Sequence, residues 1–275
     1  MEFSVILVVL NEEQRIRDSL KRIQLMNPAE IIVIDGGSKD KTVIIAQEFT
    51  KNITISTNSN LTRDRQIGVN KAKYDLLMLI DADHRVNPDV ATKLYEDMQK
   101  YDLDIVQSGL SFVGDNFLTK AENQLMDITI NKPGKKEMIG VAPAMYKKEI
   151  FNFIKFDSNI TETIDDTDFI YRLKRDTVFH IGNSSTKTQS LHYGSLKEYL
   201  KKFKWYGIGD GEFCIKHPFR AWRMFYHLLI NYLFILPIRG MIRGKFKLLP
   251  YCWLQGSIRF FYCVKKIILN FFQSK

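Results

Sequence analysis

The chain has 275 residues, with 40 Lys or Arg against 31 Asp or Glu and a net charge of +9. That length allows one large α/β domain with an appendage, and no repeat or low-complexity tract interrupts it. The three cysteines, Cys214, Cys252 and Cys263, fit neither a zinc-site spacing nor a disulfide framework, so reduced, buried thiols and a cytoplasmic setting are expected.

Taken in chain order, Phe3 to Val9 is an apolar run that ends at Asn11-Glu12-Glu13 and leads into a helical stretch through Met26. Its apolar residues reach acids without a cleavage-site pattern, so no signal peptide is expected. Ile31 to Ile34 is a second such run, ending at Asp35 and a glycine turn, Gly36-Gly37, before a helix capped by Ser38 or Asp40. The glycines allow a tight turn beside a ligand, and Asp35 is placed to accept hydrogen bonds from a base or ribose. Ile53-Thr54-Ile55 reads as a short strand, and Leu61 to Lys73 as a helix carrying Arg63 and Arg65.

The run Leu76 to Ile80 stops abruptly at Asp81-Ala82-Asp83. An apolar run of this kind is a buried strand, and open α/β sheets bind ligands at the carboxyl ends of their strands. Side chains alternate along a strand, so Asp81 and Asp83 face the same way and can share a divalent cation with the diphosphate it neutralises. His84 beside them either touches substrate or caps the loop. Further on, Asp165 and Asp166 open an amphipathic helical stretch, Phe169 to Leu173. Thr177 to Ile181 reads as a strand, and His192 follows it.

Together these pieces resemble a GT-A fold glycosyltransferase of family 2. The similar segments are Asn11-Glu12, Ile32 to Thr42, Arg65-Gln66-Ile67-Gly68, Asp81-Ala82-Asp83, and Glu162 to Leu173. Two departures stand out: no proline precedes Asn11-Glu12, and Asp165 stands where the family usually has Glu. The resemblance implies a Rossmann-like, mixed, mainly parallel sheet flanked by helices. It implies that Asp35 contacts the nucleobase, that Glu12 lies near the nucleoside, and that Arg65 holds the base or phosphates. Asp81 is implied to face ribose and metal, Asp83 to ligate the metal, and a late histidine, His192, to complete its shell. Asp166 is implied to be the general base of an inverting transfer, with Asp165 or Asp168 fixing the helix start or binding acceptor hydroxyls. The implied cofactor is Mn²⁺ or Mg²⁺ and the implied donor a nucleoside-diphosphate sugar, UDP- or GDP-linked. A hard cation with oxygen ligands is suited to screening the diphosphate as it leaves.

Charge divides the chain. Residues 187–275 hold 16 Lys or Arg and 3 Asp or Glu, whereas residues 1–186 hold 24 and 28, so the whole positive balance lies in the last third. We therefore expect a catalytic domain over residues 1–190 and a basic, aromatic-rich helical region over 191–275. The runs Trp222 to Ile238 and Leu248 to Phe272 are both interrupted by charge, short of the roughly 20 apolar residues of a spanning helix. Interfacial helices on an anionic leaflet fit them better, which puts the enzyme at the cytoplasmic face of the cell membrane, peripheral or monotopic. A saccharide or polyprenyl-linked acceptor follows from that setting. Lys197 to Trp205, with Gly207 and Gly209 after it, reads as a mobile basic segment over the site.

Competing classes fare worse. A pI near 9.3 is the usual footprint of nucleic-acid binding, but zinc-finger spacing, an RNP-like strand and a clear helix-turn-helix are all missing, so no nucleic acid is expected. A sugar nucleotidyltransferase would carry a glycine- and arginine-rich loop after the first strand, where this chain has Asn11-Glu12-Glu13. A non-catalytic binding module would have lost an acid from one of the two clusters.

Overall fold

The computed structural model describes residues 1–160, 163–191 and 195–273; the expected ligand His192 lies outside them. The N-terminal half alternates as the apolar runs dictate: β1 (Ser4–Val9), α1 (Ile16–Leu25), β2 (Glu30–Asp35), α2 (Thr42–Ala46), β3 (Ile53–Ile55), α3 (Leu61–Lys71) and β4 (Leu76–Asp81). The remaining elements are β5 (His84–Arg85), α4 (Val90–Lys100), β6 (Ile105–Val113), α5 (Phe117–Ile128), β7 (Gly134–Lys135), β8 (Ala144–Lys147), α6 (Asp165–Asp176), β9 (Ile181–Leu191) and α7 (Leu196–Lys216). Then come α8 (Ala221–Tyr226), a π-helical stretch His227–Ile235, α9 (Leu236–Ile242) and α10 (Leu248–Gln273).

Among the described residues the strands form one mixed sheet in the order β3-β2-β1-β4-β8-β6-β9-β5, with β7 beside β9. β3, β2, β1 and β4 are mutually parallel, and β8 runs antiparallel to both β4 and β6. Alternation along β1 sends Val5, Leu7 and Val9 into one apolar core and Ile6 into another, so both faces of the sheet are covered. α1 contributes Ile16, Leu20 and Ile23 to the first core, a helical spacing. Register then sets the site: Val9 lies opposite Asp35 and Val8 opposite Asp81, which brings both acids to the same sheet edge.

The chain divides into two compact units. One holds Met1–Ser111, Ile130–Thr161 and Asp165–Leu191; the other holds Phe112–Thr129, Glu162–Ile164 and His192–Lys275. The second unit packs Ala121, Leu125 and Ile128 of α5 and Tyr199 and Phe203 of α7 against Tyr232, Leu236 and Tyr251.

Three sequence expectations are corrected. First, Thr177 to Phe179 is not a strand. Thr177 bonds back to Leu173 through its amide (2.9 Å) and hydroxyl (2.6 Å), closing α6, and β9 begins where the expected strand ends. Second, the supposed mobile segment from Lys197 is the long helix α7, started by a capping box between Ser195 and Glu198. Its glycines are contact points, because a Cβ on Gly207 would meet the Arg259 carbonyl oxygen at 2.6 Å and one on Gly211 the Cys263 carbonyl oxygen at 2.8 Å. Third, the apolar run that charge was expected to interrupt is a continuous helical stretch, Pro218–Ile242, long and apolar enough by length and composition to cross a bilayer. Only 28% of its most apolar stretch is buried. Pro237 cannot donate to the Leu233 carbonyl one turn back, and that carbonyl instead accepts from Trp253 Nε1 at 2.8 Å. The three cysteines are free and buried.

Candidate active site

The loops after β1 and β2 are laced together. The Asn11 amide donates to Ser38 Oγ (2.8 Å), and Asn11 Oδ1 accepts from the Lys39 amide (2.9 Å). The Glu12 amide donates to Thr42 Oγ1 (2.7 Å), while Glu13 and Asp40 exchange bonds with each other's loop through the Glu13 and Lys41 amides. Asn11 reaches this position in the left-handed region, with φ 54°, which Asn tolerates better than most residues. Neither expected residue caps α2: its N-cap is Lys41, without a side-chain cap, and Asp40 just before it accepts from the Thr42 amide at 3.0 Å.

Asp35 is buried, and its carboxylate accepts from the Gly37 and Ser38 amides (2.9 Å each) and from Ser38 Oγ (2.5 Å). It therefore anchors the loop expected to cradle the nucleoside. Gly37 has φ +90°, which the turn requires of it, and a Cβ on Gly36 would meet Ser59 Oγ at 2.5 Å.

At the end of β4, the carboxylates of Asp81 and Asp83 and the ring of His84 offer ligand atoms that lie within 4.8 Å of one another. His84 Nδ1 accepts the Asp81 amide at 3.1 Å, and its Nε2 lies 3.9 Å from Asp83 Oδ1. His84 thus braces the acid pair, and its ring joins the two carboxylates in a group that could hold a cation. Ser190, on β9, donates to Asp83 Oδ2 at 2.9 Å and fixes it from the other side.

Arg65 is buried, and its guanidinium is forked between two carboxylates. Nη2 reaches both oxygens of Asp81 (2.9 and 3.2 Å), and Nη1 bonds Asp165 Oδ2. In the structure Arg65 thereby ties the end of β4 to the start of α6. Asp165 is the other end of that tie, which fixes the helix start. Asp168 is wholly buried and takes Arg172 Nε at 2.7 Å. Asp166 is half-buried in the same first turn, its Oδ1 accepting from the Thr167 amide at 2.6 Å.

Electrostatics supports a cation at this place. Burial raises the Glu12 carboxyl above its ordinary value; Arg15 opposes the rise, and Asp83, Asp40 and Asp81 reinforce it. Burial also pushes Asp81 up, but Arg65 and His84 outweigh it and hold that carboxyl below the usual range. A diphosphate brought to three clustered carboxylates would be repelled unless a divalent cation came with it. The donor set, oxygens from Asp81 and Asp83, fits a hard cation.

With that geometry in place, the family profile for glycosyl transferase family 2 matches residues 4–172, well over half of the chain. The chain belongs to glycosyl transferase family 2. Among curated relatives, a poly-beta-1,6-N-acetyl-D-glucosamine synthase of Staphylococcus epidermidis is 30% identical over 104 residues, covering 35% of this chain and 25% of the relative. This family 2 chain thus spans about a quarter of that relative's length. Among solved structures, S. aureus TarS 1-349 in complex with UDP-GlcNAc aligns with a TM-score of 0.55 at 15% identity, over 94% of this chain and 92% of that one. Glucosyl-3-phosphoglycerate synthase from Mycobacterium tuberculosis, in complex with Mn²⁺, UDP and glucosyl-3-phosphoglycerate, aligns with a TM-score of 0.52 at 16% identity, over 72% and 74%. At these identities the likeness establishes the shared GT-A fold of the family 2 chain.

Sequence reasoning missed Ser190 and undervalued His84. The signal for His84 was its adjacency to the acid pair; Ser190 is 107 residues from Asp83 and carried none.

Proposed function

We propose that this chain is an inverting glycosyltransferase that moves a sugar from a nucleoside diphosphate, UDP- or GDP-linked, to an acceptor hydroxyl or phosphate. The observation that carries the reading is the Asp81–Asp83 pair at the carboxyl end of β4, joined through Arg65 to the helix turn that bears Asp166. Asp81 and Asp83 would hold Mn²⁺ or Mg²⁺, which when bound neutralises the diphosphate leaving group. Asp35 and the laced loops after β1 and β2 form the nucleoside side of the site. Asp166 takes the proton of the acceptor hydroxyl as its oxygen bonds to the anomeric carbon and the bond from that carbon to the diphosphate oxygen breaks on the opposite face. Arg65 is a positioning residue in this scheme, because it sets α6, and with it Asp166, relative to β4.

On the acceptor side we propose a saccharide or polyprenyl-linked acceptor, met at the cytoplasmic face of the cell membrane. Support comes from the basic last third of the chain and from its large exposed side chains, Trp222, Phe234 and Phe261 among them.

A panel of UDP- and GDP-sugars, each offered with Mn²⁺ and with chelator, tests the transfer by nucleotide release and by the anomeric configuration of the product. Metal-dependent release from one donor, an inverted product, and loss of turnover in Asp166→Asn are expected. A retained configuration, or turnover in Asp166→Asn equal to wild type, would overturn the reading.

A further inference from the structure

The Pro218–Ile242 helix has two apolar faces. Met224, Leu228, Tyr232, Leu236 and Gly240 recur every fourth residue and are buried within the helical unit. On the other side Trp222, Tyr226, Ile230, Phe234, Ile238 and Ile242 recur at the same interval, between 40% and 80% exposed. A helix that is apolar all round is at home only where both faces are covered by something other than water. α10 returns antiparallel to it, since Gly240 abuts Leu248 and Gly256 abuts Tyr232. α10 adds Trp253, Phe261, Ile268 and Phe272 as exposed side chains.

The chemistry of the cover can be read from charge. From Pro218 to Gln273 the sequence has nine Lys or Arg and no Asp or Glu. Arg220 and Arg223 stand at one end of the hairpin, Arg239, Arg243, Lys245 and Lys247 at its turn, and Lys265 and Lys266 late in α10. Midway, Arg259 is drawn inward: it pairs with both oxygens of Asp210 at 2.8 Å and lies over the rings of Tyr206 and Tyr232. Lys245 is paired with Asp127 of α5 at 3.2 Å; the hairpin itself holds no anion, and an apolar face bordered by its other cations complements an anionic bilayer surface.

Resting on the membrane reading above, we propose that this hairpin lies in the plane of one leaflet and does not cross it. α7 decides the orientation. It runs beside α10, with Tyr199 against Tyr251 (6.4 Å between rings), Gly207 against Arg259 and Gly211 against Cys263. Along the same length α7 exposes Lys197 and Lys201. A spanning hairpin would carry these lysines to the depth of the hydrocarbon, where an unpaired cation is strongly disfavoured. Lying flat, the hairpin sinks its apolar face about 5–10 Å and leaves α7 in water.

Depth-resolved fluorescence quenching tests this with the full chain on vesicles of phosphatidylglycerol and phosphatidylcholine, brominated either near the carbonyl or near the methyl end of the acyl chain. Single-tryptophan variants keep Trp222, Trp253 or Trp205, or carry Ile230→Trp with those three replaced by Phe. The expected result is equal, shallow quenching of residues 222, 230 and 253, stronger for bromine near the carbonyl, and no quenching of Trp205 on α7. Deepest quenching at residue 230 would show a spanning helix and overturn the proposal while leaving membrane association standing. Failure of the wild type to float with anionic vesicles at low salt would overturn both, and donor turnover measured on the same sample separates that result from failure of the transferase reading. As a second arm, Ile230→Glu with Phe234→Glu alters only exposed side chains; vesicle partitioning should fall at least tenfold with the helical circular dichroism kept, and unchanged partitioning would overturn the proposal.

Discussion

Arg65 in the sheet-bearing unit and Arg259 in the helical unit are both held by carboxylates, but the carboxylates differ in access. Asp81, one partner of Arg65, keeps 35% of its side chain exposed, whereas Asp210, the partner of Arg259, keeps 6%. A buried arginine with one solvent-reachable partner can share that partner with an arriving ligand; one sealed against its partner and two tyrosines only locks two helices. The same contrast extends outward. In the first unit polar groups gather at the carboxyl ends of strands, where a donor would bind, and the apolar residues are enclosed in two cores. In the second, the polar pairs are enclosed and large apolar side chains face out. The lesson is that net charge alone says little: the acidic region holds the site, and the basic region carries a surface.

The comparison can be broken most severely at Asp166. Asp166→Asn should lower turnover about 10³-fold, the usual worth of a positioned general base, with the Tm and nucleotide binding retained. Steady-state kinetics beside a thermal melt checks this, and a drop below tenfold would move the base elsewhere.

Arg65→Met should come next, because it leaves Asp165 buried without its cation. A loss of about 3–5 kcal/mol in urea unfolding is expected, and Arg65→Lys should not restore it, since a point charge cannot fork between two acids. A pH dependence follows with a definite sign. The folded Asp81 carboxyl titrates below its unfolded value, so its pairing contributes stability above the ordinary carboxylate range and loses it as pH falls through the lower folded value. Comparing urea midpoints across the acid range should show a flatter acid limb in Arg65→Met than in wild type.

Smaller effects sharpen the contrast. Gly211→Ala puts a methyl 2.8 Å from the Cys263 carbonyl and 2.7 Å from Lys266 Cβ, which should cost about 1–3 kcal/mol in unfolding experiments and leave nucleotide affinity alone. Ser190→Ala removes the hydroxyl that steadies Asp83 and should weaken Mn²⁺ binding about tenfold, read by water-proton relaxation in the absence of any donor. Equal Mn²⁺ affinity in that variant would make Ser190 merely a part of the strand.

Legibility from sequence followed burial. β1, β2 and β4 are buried on both faces, so they appear as apolar runs, and the acids that end them announce the site. β9 escaped because it alternates Ser184, Thr186, Thr188 and Ser190 inward with Ser185, Lys187 and Gln189 outward, a period of two without hydrophobic contrast. The glycines of α7 suggested mobility because a loop glycine and a helix-contact glycine look alike until the neighbouring helix is present. Roles at the site were harder still. The tie between Arg65 and Asp165 joins residues 100 apart, and that separation carries no local pattern.

The central claim is that Asp81 and Asp83 bind a nucleoside diphosphate through a divalent cation. The direct measurement is the thermal shift of wild type and Asp83→Asn with UDP, GDP, CDP and dTDP, each with and without Mn²⁺. One nucleotide should stabilise the wild type only when Mn²⁺ is present, and Asp83→Asn should abolish that gain. Stabilisation that persists without metal, or that survives the substitution, would contradict the claim.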